Sequence, residues 1–420
     1  MAAAGGAAGR KAIVIGAGIV GACTAAYLRR EGFAVDLIER DEVGRSASYG
    51  NAGNIGVTSF TPHSTPGLIW KVPGMLFSPD EALEVRWSYF PHALPFFIRF
   101  LLAGRRDRVE KIADARKELL TRVYAAYKAL LDDTGASNLI VKHGKLFTYG
   151  SPQSFEAGKL DRDIRRSRGV EIIDLDEDQI RQQEPALAGG AVKRAILIPE
   201  IGHAPDPLRL TQSIAEAFVR NGGRVLRESA RAIEMSADGK PTVVTDKGSH
   251  TADIAVISAG AWSNKLAKPL GAKVPMETER GYHLMFPDPR VELRRPFLSN
   301  DRNVTMTPMD KGIRITSFAE FGGLEAPPTW KLADRLVKHA RELVPGINTE
   351  KAERWMGHRP STPDSLPVID RCKRHPSVYY AYGHGHTGLT LGAITGRLIA
   401  DLVAGRDPGM DLTPYRADRF

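Results

Sequence analysis

Apolar positions along this chain recur with two periods, and the switches between them mark its elements. Ala12 to Ile15 is a short apolar run rich in β-branched residues, the pattern of a buried strand. Ala22 to Arg30 reads as a helix of good formers, and Val35 to Ile38 is a second apolar run closed by Glu39. Val109 to Asp132 has helical periodicity, with Ile112, Leu119, Leu120, Val123 and Tyr124 set among charges. His143 to Gly150 predicts a strand. Asp206 to Arg220 is amphipathic and carries Pro207 near its start, as a helix tolerates. Gly223 to Leu226 starts a further strand, and Val243-Val244 with His250 to Ile257 predict hairpin strands. Val378 to Tyr382 is a β run that breaks into GHGHTG, and a helix follows from about Leu389 to Ala404. No internal repeat is visible.

The first strand, helix and strand enclose a glycine turn. Gly16, Gly18 and Gly21 form GxGxxG between Ile15 and the helix. Gly16 permits the tight turn, Gly18 lets backbone approach a pyrophosphate, and Gly21 allows close helix–strand packing. Ile19 and Val20 open the helix, whose free N–H groups face the phosphates. Glu39, followed by Arg40, stands where a carboxylate accepts hydrogen bonds from both ribose hydroxyls, and an acid there disfavours a 2′-phosphate. The segment predicts a dinucleotide site. After Glu39 the chain enters a polar loop from Gly44 to Val57, then proline-punctuated sequence to about Pro95. A second glycine-rich strand-to-helix junction comes more than 350 residues after the first. Two such junctions can cradle the ends of one long cofactor if distant segments build one domain.

Composition narrows the class. The 420 residues suffice for two sizeable cores, and 42% hydrophobic with 25% charged residues is ordinary for a globular protein. The first ten residues, MAAAGGAAGR, lack an apolar run and read as an unstructured leader, not a signal peptide. The formal charge of +9 comes from Lys and Arg spread along the chain and interleaved with acids, so no nucleic-acid interface is expected. Cys23 and Cys372 have no metal-ligand spacing, which suits a reducing cytoplasm. Trp87 to Ile98 is strongly apolar and aromatic, yet it carries Pro91 and Pro95 and ends at Arg99. It is too short to span a bilayer and reads as core or interface packing. Peripheral contact with the inner face of the cytoplasmic membrane, helped by Arg105, Arg106 and Arg108, is the alternative.

Four further segments carry a family resemblance. Ser46 to Ile55 (SASYGNAGNI), Val256 to Ser263 (VISAGAWS), Gly357 to Pro367 (GHRPSTPDSLP) and Tyr382 to Leu391 (YGHGHTGLTL) follow the fingerprint in order. Together they resemble the D-amino-acid oxidase and dehydrogenase superfamily of FAD enzymes, most of all bacterial D-amino-acid dehydrogenases. The resemblance implies an α/β fold: a discontinuous Rossmann-type FAD domain and a substrate domain with a large antiparallel or mixed sheet and helices. The expected segments are 8–60, 200–262 and 355–420 for FAD, and 61–199 and 263–354 for substrate.

The same resemblance supplies site expectations. Ser46, Ser48, Asn51, Ala52, Gly53, Asn54 and Ile55 would run beneath the flavin, with Ala259, Gly260 and Trp262 near the pyrophosphate and ribityl chain, and Arg231 would also contact the cofactor. Gly383, His384, Gly385, Thr387, Gly388, Leu389 and Thr390 would face the ring. Glycines there let backbone approach a flat ring, and helix N–H groups can stabilise charge on the reduced flavin. Arg359, of the RP element, would hold the substrate carboxylate above the flavin, since a guanidinium matches a carboxylate bidentately. Tyr282 is expected to add a phenolic hydrogen bond, and His384 and His63 to line the ring. Core packing for Tyr282, and a scaffold role for either histidine, are the competing readings. The superfamily's usual leucine and glycine are His358 and Ser365 here. No cysteine stands where some sarcosine oxidases attach flavin, which implies non-covalent FAD.

These expectations describe a D-amino-acid dehydrogenase: hydride leaves Cα for flavin N5, the imine hydrolyses to a 2-oxo acid, and electrons pass to a quinone or another acceptor. No side-chain acid/base pair is expected, because a neutral amine needs none. A D-proline or D-hydroxyproline dehydrogenase and an oxygen-using glycine or sarcosine-type oxidase are alternatives within the enzymes. A flavin module acting on tRNA is the alternative outside them, and it would need an appended RNA module.

Overall fold

The computed structural model describes residues 9–70, 74, 83–136 and 138–420. Most of the N-terminal leader and part of the proline-punctuated stretch lie outside the described residues. At the centre is a six-stranded sheet assembled from four distant parts of the chain. Its order is Val368–Arg371, Val378–Tyr382, Ile254–Ile257, Lys11–Ile15, Ala34–Glu39, Arg224–Arg227, parallel except at Val368–Arg371. The apolar runs are continuous because both faces are covered. Ala12 and Val14 join one core cluster, while Ile13 and Ile15 join the other.

Helices Ile19–Arg30, Pro207–Arg220 and Gly388–Ala404 cover the first face. Close approach needs small residues. A Cβ on Gly21 would lie 1.8 Å from the Gly16 carbonyl oxygen, and one on Gly396 would lie 2.7 Å from the Cys23 backbone. The C-terminal helix is apolar and long enough to cross a membrane, but it is mostly buried within this layer and serves as core. The opposite face packs on the small sheet Ala230–Met235, Pro241–Thr245, Ser249–Thr251.

A nine-stranded mixed sheet forms the second layer system among the described residues. Its order is Glu353–Ser361, Glu277–Phe286, Gly312–Phe321, Val304–Met309, Phe297–Ser299, Lys145–Tyr149, Arg194–Ile198, Ile173–Leu175, and Leu83–Val85 pairs with Gly312–Phe321. One face packs against helix Trp330–Leu343, and the other roofs a cavity over the six-stranded sheet.

Several elements differ from the sequence reading. The periodic stretch from Val109 is two helices, Arg106–Leu120 and Val123–Thr134, which pack in the core cluster that joins the nucleotide-side helices to Phe147, Tyr149, Ile196 and Ile198 of the large sheet. Tyr27 and Tyr127 tie them there, donating to the Ala126 and Leu389 carbonyls. The run His250 to Ile257 divides: Ser249–Thr251 closes a hairpin with Pro241–Thr245, and Ile254–Ile257 joins the central sheet. Glu353–Ser361 belongs to the large sheet, although all of it from Trp355 on was expected among the nucleotide segments.

Candidate active site

A cavity of about 970 Å³ runs between the two sheets. Both glycine junctions open into it. Gly16 has φ +100°, and a Cβ there would meet the Ser258 carbonyl oxygen at 2.6 Å, so the turn admits only glycine without displacement. Gly18 caps helix Ile19–Arg30, and the Ser48 hydroxyl accepts from the Ile19 N–H at 2.9 Å. At the end of the second strand, Glu39 accepts from the Ala17 N–H at 2.7 Å and faces the cavity. Arg40 stacks on Trp262 at 4.0 Å from the ring centroid, on the same wall as Arg231.

Ile19, Val20, Ser46, Ser48, Asn51, Ala52, Asn54, Ala259, Gly260, Gly385, Thr387, Gly388, Leu389 and Thr390 all line this space. Thr390 joins the flavin-side segments: its hydroxyl accepts from the Gly56 N–H and donates to the Asn54 carbonyl. Gly21, Gly53, Ile55 and Gly383 sit behind the lining. Gly53 and Gly383 take φ +77° and +80°, Ile55 is fully buried, and each glycine is backed by Ala204 or Thr362 within 3 Å of a built Cβ. Their part is to shape the turns. Cys23 and Cys372 are buried away from the cavity.

Such a cavity fits FAD. A positive-φ glycine turn, a helix N-terminus, an acid at the end of the second strand and glycine approaches at Gly385 and Gly388 are the cradle of a dinucleotide carrying a flat ring. When bound, FAD supplies the two-electron acceptor for hydride.

Arg359 projects from Glu353–Ser361 across Gly281, where a Cβ would lie 2.1 Å from its Nη2. Its Nη1 donates to Glu279 Oε1 at 2.7 Å and to the Phe318 carbonyl at 2.9 Å. That carbonyl is aimed by a bulge: the pairing of Glu277–Phe286 with Gly312–Phe321 slips between Arg280 and Tyr282, and Phe318 takes φ +63°. Glu279 pairs directly with Arg359 across the strands. It is buried, and it also receives His386 Nε2 at 2.6 Å and the Ser361 hydroxyl at 3.1 Å. Burial pushes its carboxyl up, but His386, Arg359 and His63 more than offset this and hold it well below the usual carboxylate range. His63 lies against His386, ring centroids 4.3 Å apart and tilted by 38°, and lines the cavity. Enclosure, with positive charge from His386 and Arg116, lowers its pKa.

Two expected contacts are corrected. Tyr282 lies on the opposite face of its strand from Glu279 and Gly281, because side chains alternate. Its hydroxyl donates to Glu320 and accepts from the Thr329 N–H at 2.9 Å, and its ring packs in the core beneath Trp330. The His384 ring is buried and hydrogen-bonded to Thr395 Oγ1 at 2.9 Å in the C-terminal helix, although the residue borders the cavity. The histidine in play is His386, two residues on. A carboxylate–imidazole pair, Glu279 with His386, stands at the cavity wall, and the sequence reading singled out neither residue.

Sequence reasoning also missed Arg314, which donates to the Tyr49 and Asn51 carbonyls and fastens the flavin-side loop to the large sheet. At the far wall, Lys145 and Arg165 are buried cations lining the cavity. Arg165 pairs with Asp161 at 3.0 Å, while burial, then Arg165, pushes the Lys145 amine down to about 7.

The discontinuous nucleotide fold and this cavity together define a flavin-dependent oxidoreductase. The family model described as "FAD dependent oxidoreductase" matches residues 11–402, and the chain belongs to that family. A "D-amino-acid oxidase" from Bradyrhizobium diazoefficiens is 37% identical over 419 residues, 98% of this chain and 99% of the relative. A "D-amino acid dehydrogenase 2" from Mesorhizobium japonicum is 30% identical over 96% of this chain and 98% of its own. Among solved structures, glycine oxidase from Geobacillus kaustophilus superposes with a TM-score of 0.75 at 22% identity, covering 98% of this chain and 99% of that one. L-proline dehydrogenase from P. horikoshii gives 0.73 at 19%, covering 99% and 98%. The chain is thus similar in fold to amine-oxidising flavoenzymes.

Proposed function

We propose that the chain oxidises the C–N bond of a D-amino acid, holding the substrate carboxylate on Arg359 with Cα against the bound flavin. The observation that carries this is Arg359 itself: a cation on the edge strand of the sheet that roofs a cavity both glycine junctions enter. Relatives named for D-amino acids favour that stereochemistry. Positioning contributes most of the catalysis, because hydride transfer needs alignment above all. In the test, D- and L-amino acids, D-proline, glycine and sarcosine are added anaerobically and bleaching of the flavin is followed. Fastest bleaching by an acyclic D-amino acid is expected; bleaching only by D-proline or by glycine would select one of the alternatives.

The acceptor reading is a quinone or similar carrier, reached from the cytoplasmic face of the membrane. An exposed apolar stripe supports it: Leu94, Ile98 and Leu102 lie one turn apart on helix Phe90–Ala103 and are 41%, 52% and 52% exposed. Stopped-flow reoxidation decides it. Reduced flavin should pass electrons to a soluble quinone much faster than to oxygen, and peroxide formation matching steady-state turnover in air would make the enzyme an oxidase.

A further inference from the structure

The anchor for the substrate carboxylate is already paired. Arg359 Nη1 is committed to Glu279 and to the Phe318 carbonyl, and the Glu279 carboxylate is fixed by three donors. Two of these, Arg359 and His386, converge on Oε1, and Ser361 takes Oε2. An ionised carboxylate has about four acceptor positions, so Oε2 keeps one for a further N–H. Glu279 and Arg359 share the cavity-facing side of two paired strands, and Gly281 leaves the room that the Arg359 guanidinium occupies.

This arrangement treats two kinds of carboxylate differently. A simple carboxylate arriving at Arg359 brings a second negative charge beside a buried one, and in a low-dielectric cavity that repulsion is costly. A zwitterion brings its own compensation. With its carboxylate on the outer edge of Arg359, its ammonium can donate to Oε2, and the four charges then alternate in sign. We propose that Glu279 is the receptor for the substrate's ammonium group, so that the site selects zwitterions over plain carboxylates. This rests on the amino-acid reading above and adds the group that recognises the amine. Glu279 is a binding residue in this scheme, since the nitrogen must shed a proton before Cα–H can leave as hydride.

The experiment compares two achiral probes that share a skeleton, 2-aminoisobutyrate and isobutyrate. The first has no Cα–H and is not oxidised. Binding to FAD-loaded enzyme is read by flavin absorbance and by calorimetry. Wild type should favour 2-aminoisobutyrate by at least about tenfold, the scale of one charge-assisted hydrogen bond. Glu279→Gln should bind it at least about tenfold more weakly and bind isobutyrate more tightly, because Arg359 loses its competitor. A gain for the plain carboxylate is something general damage to the fold would not produce. His386→Asn leaves the carboxylate in place and should keep the preference for the zwitterion. If Glu279→Gln does not retain FAD, the wild-type comparison still decides: equal or tighter binding of isobutyrate overturns the proposal. Wild type that binds neither probe and is bleached by no amino acid would instead overturn the amino-acid reading, whereas bleaching without zwitterion preference overturns Glu279 alone.

Discussion

Arg359 was legible because it sits in a motif, and its replacement has a defined signature. Arg359→Leu should retain FAD yet lose about 2–5 kcal/mol in kcat/KM for amino acids, since both the substrate carboxylate and Glu279 lose their partner. Lys at 359 should rescue only partly, lacking the planar fork. Comparable rates of flavin reduction in Arg359→Leu and wild type would place the anchor elsewhere. Glu279 and His386 were not read from the sequence. Nothing in ETERGYH says which of its alternating side chains faces the cavity until the strand has partners. The expected Tyr282 contact failed for the same reason: a one-residue step along a strand changes face. Lys145 gives a test of sign. Its amine falls from 10.5 to about 7 on folding, so between those values the unfolded chain binds more protons and stability rises with pH. Lys145→Met should therefore stabilise the protein by about 2–4 kcal/mol near pH 6, and this advantage should fade towards pH 10. Denaturant unfolding at several pH values would show it, and a pH-independent difference would refute it.

At the scale of elements, the fingerprint strand, turn and helix were fully legible, because each glycine there answers a local steric demand. Helix breaks and strand partners were not. The stretch 109–132 breaks at Thr121-Arg122 with neither proline nor glycine to mark the break, and only packing on the nucleotide-side helices divides it. The Phe318 bulge was equally hidden, since phenylalanine has no preference for positive φ. Gly281 shows how an element governs the site. Gly281→Ala puts a methyl into the Arg359 guanidinium. It should leave FAD content unchanged and weaken 2-aminoisobutyrate by roughly the amount that losing Arg359 does, about 2–5 kcal/mol. Unchanged affinity, measured by calorimetry, would mean that the arginine acts from another rotamer.

For the whole molecule, non-covalent FAD predicts that acid precipitation releases all the flavin into the supernatant, and colour left on the denatured chain would contradict it. Membrane contact through the exposed stripe predicts sedimentation with anionic vesicles that Ile98→Glu abolishes without changing flavin reduction by an amino acid. Failure of the wild type to sediment would leave the stripe without a lipid role. The overall plan was legible from the order of five motifs. Which layer each connecting helix joins was not, because that depends on faces that only the assembled sheets present.

The central sheet also carries a consequence for biosynthesis. Its strand Lys11–Ile15 is flanked by Ala34–Glu39, made almost at once, and by Ile254–Ile257, made some 240 residues later. The helix that closes the cofactor cradle ends at Ala404. A ribosome emitting this protein therefore holds an incomplete nucleotide pocket until the residues up to Ala404 have been made. Long-range pairing of this kind is slow, and the interval exposes apolar strand edges. Flavin capture must wait for that helix, so riboflavin-starved cells should accumulate protease-sensitive chains that already extend past Ala404 rather than shorter products.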